Sequence, residues 1–216
     1  MAGMIQAFSN RHSIRKYGDD GGKRIFCFAV CVLLLISAAA VFLILRVRGS
    51  MVVHAGEDII PAGEIAFFRQ DDEKWAAEKL GDSRYTMESS GCLVCCITST
   101  LVMGGKTEET PFTVNERFSK QGVYDLQGNI LWDNLRRYGG CEVEVFNKAD
   151  EELLLDCLRE GKYPIVRVRV KGVGNFHYVL ITGAREGNFY CMDPLKDGER
   201  PLAEYGNRIY AARLVS

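Results

Sequence analysis

From Ile25 to Leu45 the chain is an unbroken apolar run, closed by Arg46 and Arg48. Its 21 residues, at about 1.5 Å of rise each, reach about 31 Å as a helix, enough to cross a bilayer core. A cleaved signal peptide has a shorter apolar core; here Ser37-Ala-Ala-Ala40 is followed by five more apolar residues before the first charge. A buried helix of a soluble protein is rarely apolar on every face for so long. The pattern predicts one retained transmembrane helix over 25–46. A polar tail precedes it over 1–24, and a glycine-containing linker follows over 47–64, with His54 as a solvated linker residue.

Past Ile65 the pattern becomes that of a globular domain, 65–216. A short extended apolar start leads to Gln70, an acidic turn and a segment carrying Trp75. Leu93 to Met103 is largely apolar and predicts a central helix, stopped by Gly104-Gly105. Helical periodicity recurs over 113–120, 130–138 (stopped by Gly139-Gly140) and 150–159. Cys141 to Phe146 alternates as a strand does, and further strands are predicted over 165–170, 176–182, 188–192 and 209–214. Helices followed by an antiparallel sheet predict an α+β domain.

Charge changes little in this picture. With 27 Lys and Arg against 28 Asp and Glu, the formal net charge is −1, and the main body has no basic run to bind nucleic acid. Its placement matters more. Arg11, Arg15, Lys16, Lys23 and Arg24 precede the span and only Arg46 and Arg48 follow closely, so the positive-inside bias puts the N-terminus in the cytoplasm and 49–216 outside the cell.

Eight cysteines raise the question of disulfides and metals. Cys27 and Cys31 lie in the span. The spacing of Cys92, Cys95, Cys96, Cys141, Cys157 and Cys191 forms no small-scaffold disulfide framework. Cys92-x-x-Cys95 lacks the second ligand pair of a zinc site, so no metal is expected; Cys95 and Cys96 read as core. Nor does any segment suggest a cofactor. Cys92 differs from the rest. It follows Thr86-Met-Glu-Ser-Ser-Gly91, where Ser89 and Ser90 are good N-cap residues and Gly91 allows a sharp turn. A cysteine in the first helical turn meets free backbone N–H groups and the positive end of the helix dipole, which favour a thiolate. Burial of Cys92 as one more small core residue remains the alternative.

A second constellation comes from strand geometry. If 176–182 and 188–192 form a hairpin turning near Arg185, His177 stands opposite Asp193, and opposed side chains lie about 4.5–5.5 Å apart. His177 is the one histidine of the domain body. A carboxylate beside an imidazole can orient the ring and support its charge, although such pairs also serve structure alone.

In the order Gln70, Cys92, His177, Asp193 the sequence resembles the papain-like cysteine peptidases, and among them the bacteriocin-processing (double-glycine, C39-type) peptidases and their stand-alone relatives. The matching stretches are Gln70-Asp-Asp-Glu-Lys-Trp75, Thr86-Met-Glu-Ser-Ser-Gly91-Cys92, His177-Tyr-Val-Leu-Ile-Thr-Gly183 and Asp193-Pro194. Leu93 and the Cys95-Cys96 pair stand where relatives often carry smaller residues. The resemblance implies a papain-like fold in which Cys92 is the nucleophile, His177 the base and then acid, Asp193 the group that orients His177, and the Gln70 amide part of an oxyanion hole. It implies a peptide or protein substrate. No Gly-x-x-x-x-Gly-Lys-Ser/Thr motif marks a fused transporter, so any transport or secretion machinery would be a separate partner. A catalytically silent peptide-binding or scaffolding module of the same fold, and a transferase that passes the Cys92 thioester to an amine, stay open beside hydrolysis.

Overall fold

The apolar run folds as a single 28-residue helix, α1 (Asp20–Val47), whose apolar side chains are exposed along its length. Among the residues described by this computed structural model, 20–61 and 63–216, α1 is the one helix long and apolar enough to cross a bilayer. The tail residues that bear on its orientation, Arg11, Arg15 and Lys16, lie outside the described residues, as does His12. The chain divides after Leu45, and residues 46–216 form the second unit.

That unit is an α+β domain. It runs through β1 (Met51–Val52), α2 (Met87–Ser90), α3 (Cys92–Met103), α4 (Pro111–Lys120), α5 (Trp132–Tyr138), β2 (Val143–Phe146) and α6 (Glu151–Arg159). Six further strands follow: β3 (Ile165–Arg169), β4 (Phe176–Arg185), β5 (Asn188–Met192), β6 (Glu199–Pro201) and, after a short 3-10 turn at Leu202–Tyr205, β7 (Arg208–Ile209) and β8 (Ala211–Val215). Six strands make one antiparallel sheet in the order β2-β8-β3-β4-β5-β6.

Period-2 alternation divides the sheet's side chains between two cores. Ile165, Leu180 and Met192 pack under α3, α4 and α5 with Cys95, Cys96, Ile97 and Phe118. Val166, Val168, Val179, Ile181 and Cys191 pack on the opposite face under α6 with Leu154, Leu158 and Tyr205. Burial surrounds α3: its residues from Leu93 to Leu101 are buried, and the hydroxyls of Thr98, Ser99 and Thr100 donate to the Val94, Cys95 and Ile97 carbonyls.

The stretch expected as a linker, 47–64, is not one. β1 pairs with β7, Val53 and Ala55 are buried in the second core, and Ile59 exchanges backbone hydrogen bonds with Ala184 at 2.7 and 2.9 Å. Alternating apolar residues over Met51–Ala55 supply this docking; His54 alternates outward and is exposed, as expected of a solvated residue. Strand β4 is also longer than predicted. It continues to Arg185 and turns through Glu186 and Gly187, both at positive φ (51° and 74°), the requirement of a two-residue primed hairpin.

Within that hairpin the register changes once. Near the turn Arg185 pairs with Asn188 and Gly183 with Tyr190, whereas beyond it Ile181 pairs with Cys191 and Leu180 with Met192. Thr182 is the extra residue, a β-bulge. Its hydroxyl donates to Glu199 Oε1 on β6 at 2.6 Å. Gly183 beside it admits the Ile59–Pro61 backbone so closely that a Cβ would lie 2.9 Å from the Ile59 carbonyl.

Candidate active site

Cys92 is the first residue of α3, reached through a break that the sequence encodes differently from the expected Ser89/Ser90 cap. The cap is Thr86, which with Ser89 forms a capping box on the short helix α2. Gly91 then joins α2 to α3 at φ −79°, a conformation open to any residue. Space explains the glycine instead: a Cβ there would meet the Met87 carbonyl oxygen at 2.5 Å. The break leaves Cys92 half-buried at the helix start, where backbone N–H groups lack acceptors in the preceding turn.

His177 is the second residue of β4, 4% exposed, and its Nε2 lies 2.6 Å from Asp193 Oδ1. The two are not directly opposed, because the turn sits further along than Arg185; carried one residue past Met192, the register sets Asp193 by Val179, with His177 two positions away on the same face. The bulge makes that face shared. With the register of the turn continued, Asp193 would fall on the face of Leu180 and His177 on the other, since a one-residue slip inverts every side chain. Thr182 restores the phase.

Asp193 is 2% exposed and fully engaged. Oδ1 also accepts the Leu195 N–H at 2.9 Å, and Oδ2 accepts the Tyr205 hydroxyl. Burial works against its charge, but the His177 contact, Tyr205 and the Leu195 N–H together hold the carboxyl below its usual range. Burial likewise opposes a charged His177. The hydrogen bond to Asp193 and the adjacent Cys92 side chain outweigh it and push the ring up to about 9. With Nε2 committed to Asp193, Nδ1 is the nitrogen left for Cys92.

Gln70 is fixed from three sides. Its backbone N–H donates to the Pro194 carbonyl at 2.9 Å, the Trp75 indole N–H donates to the Arg69 carbonyl at 2.7 Å, and its side-chain Nε2 donates to the Glu88 carbonyl at 2.5 Å. Arg69 adds ion pairs to Asp71 (2.6 Å) and Asp197 (3.0 Å), tying this segment to the loop beyond β5. The Glu88 carbonyl determines which end of the amide is nitrogen, and a second N–H remains on it. Gln70 Oε1 is buried with no partner among the described residues.

Gln70, Cys92 and His177 line one cleft of about 790 Å³, with Asp193 behind His177. Trp132 on α5 reaches this cleft; Tyr138 is exposed and does not line it. Tyr205 was not legible as a site residue, since Leu202-Ala-Glu-Tyr205 carries no motif. Cys95, Cys96 and Cys191 are fully buried, and burial raises their thiols well above the ordinary range.

No family model matches the sequence, and no curated protein matches it. Its fold matches the crystal structure of a Bacillus anthracis protein provisionally described as a C39-like peptidase, with a TM-score of 0.51 over 74% of this chain and 98% of that one. At 15% identity the likeness is one of fold.

Proposed function

We propose that this chain is a membrane-tethered cysteine peptidase, with Cys92 as nucleophile, His177 as proton carrier, Asp193 as its orienting carboxylate and Gln70 as an oxyanion donor. The observation that carries the reading is the buried His177–Asp193 pair at 2.6 Å, facing a cleft that also holds Cys92 and Gln70. A C39-like peptidase fold supports it.

In this mechanism the Cys92 thiolate attacks the carbonyl carbon of an amide, and the carbonyl oxygen becomes an oxyanion. The free N–H of Gln70 and the backbone N–H at the start of α3 are the donors for that charge. Collapse breaks the C–N bond and leaves a thioester on Cys92, while imidazolium Nδ1–H protonates the departing amine. His177, now neutral, takes a proton from water as the water attacks the thioester. The acid product leaves, and thiolate and imidazolium are regenerated. Asp193 keeps Nε2 protonated and the ring aligned throughout.

Alkylation of Cys92 by iodoacetamide against pH, followed by peptide mass spectrometry on the full-length chain in detergent, tests this. Fast labelling well below pH 7 that is lost in His177→Ala is expected of a thiolate–imidazolium pair. Identical profiles for the two proteins, rising only in the ordinary thiol range of about 8.5, would overturn the reading.

A further inference from the structure

The sheet face turned toward the helices carries three arginines where apolar side chains would pack. Arg167 and Arg169 share it on the central strand β3, and Arg213 on β8 pairs with Ile165 on the same face. Two of the guanidinium groups stack on one ring: Arg167 and Arg169 lie 4.4 and 3.8 Å from the centre of Phe176. Arg213 lies 5.1 Å from the centre of Trp132. Neutral groups supply their remaining contacts. Arg169 donates to the Gly174 carbonyl, Arg213 to the carbonyls of Phe146 and Ala212, and Arg167 meets the Tyr178 hydroxyl.

No carboxylate lies within 4.0 Å of any of the three among the described residues, although the other ion pairs of the domain are formed. Each Nε is buried without an acceptor. Half-buried cations without counter-ions are electrostatically incomplete; burial and the charge of Arg167 both act against the charge on Arg213. Arg167 lines the same cleft as Cys92, and none of the residues lining that cleft is Asp or Glu. A guanidinium is suited by geometry to a carboxylate, which it grips through two parallel N–H groups.

We propose that the Arg167 end of the cleft is a carboxylate subsite, so that the peptides this site takes carry an acidic group close to the bond presented to Cys92. The proposal rests on the peptidase reading for its substrate class. The carboxylate comes from an Asp or Glu side chain or from a peptide C-terminus, and both would meet Arg167 in the same way.

Binding to the full-length Cys92→Ala chain in detergent separates these cases. The probes are fluorescent peptides of one length and otherwise one composition, with Glu or Gln at a scanned position and a free or amidated C-terminus, read by anisotropy. A carboxylate-bearing probe is expected to bind roughly 10- to 100-fold more tightly than its neutral counterpart, as loss of a charge-assisted pair implies. Arg167→Gln should erase that ratio, Arg167→Lys should keep part of it, and Arg159→Gln on α6 should leave it unchanged. Preference set by Glu identifies a side chain, and preference set by the free terminus identifies a C-terminus. Equal binding of all probes, no binding of any, or a ratio that survives Arg167→Gln would overturn the subsite. Failure of the peptidase reading looks different: Cys92 in the unsubstituted chain would label only in the ordinary thiol range while the Arg167-dependent preference persisted.

Discussion

A neutral thiol is a weak nucleophile and a neutral imidazole cannot protonate a leaving amine, so the chemistry proposed for Cys92 depends on where the proton of His177 resides. Against the opposing effect of burial, Asp193 and the adjacent Cys92 side chain push the ring up to about 9 from the ordinary value of 6.5. Because the raised ring is charged below that pH and neutral above it, peptidase activity should fall as pH rises through about 9. Asp193→Asn removes the carboxylate that raises the ring, so the alkaline limb should move down toward 6.5 and kcat should drop; a limb fixed at 9 in that variant would assign it to another group. Tyr205 acts one step further back, through Asp193 Oδ2. Tyr205→Phe leaves the Oδ1 contacts in place. It should lower kcat about tenfold, equivalent to about 1.4 kcal/mol, with KM and the alkaline limb retained. A purely structural tyrosine would lower Tm and leave kcat of the folded protein unchanged.

At the scale of elements the site depends on one inserted residue. Thr182 sets the phase that puts His177 and Asp193 on one face, and the Glu199 hydrogen bond holds it there. Deleting Thr182 should therefore separate the pair and abolish activity. Thr182→Val should keep the bulge, cost about 1 kcal/mol of stability through the lost hydrogen bond, and retain most activity; an active deletion variant in which His177 still titrates near 9 by NMR would show that the bulge does not set the phase. The bulge also marks the limit of what the sequence discloses. Alternation in Phe176–Thr182 and Asn188–Met192 was enough to find both strands and to place His177 near Asp193. Glu186-Gly187, without the Asn-Gly or Asp-Gly signal, did not fix the turn, and the actual register is offset by two to three positions with one correction inside it. Likewise Gly91-Cys92 was legible as the start of a helix. Capping by Thr86, docking of Val53 and Ala55, and the Tyr205 contact were not, because each depends on a partner distant in space rather than on local pattern.

For the whole molecule the question is whether α1 spans a membrane and which side the cleft would then face. α1 has the length and composition of a span, and the cationic residues Lys23 and Arg24 stand before its apolar run with Arg46 and Arg48 after it. Arg11, Arg15 and Lys16 add to the leading side, which gives five positive charges against two, a bias that for a spanning helix would place residues 49–216 outside the cell. Proteinase K added to intact cells should remove an epitope tag placed after Ser216 while leaving one placed at the N-terminus, and both should become sensitive on lysis. A C-terminal tag protected until lysis would invert the topology and give the cleft a cytoplasmic substrate. An N-terminal tag absent from the membrane fraction would mean that the apolar run is cleaved as a signal.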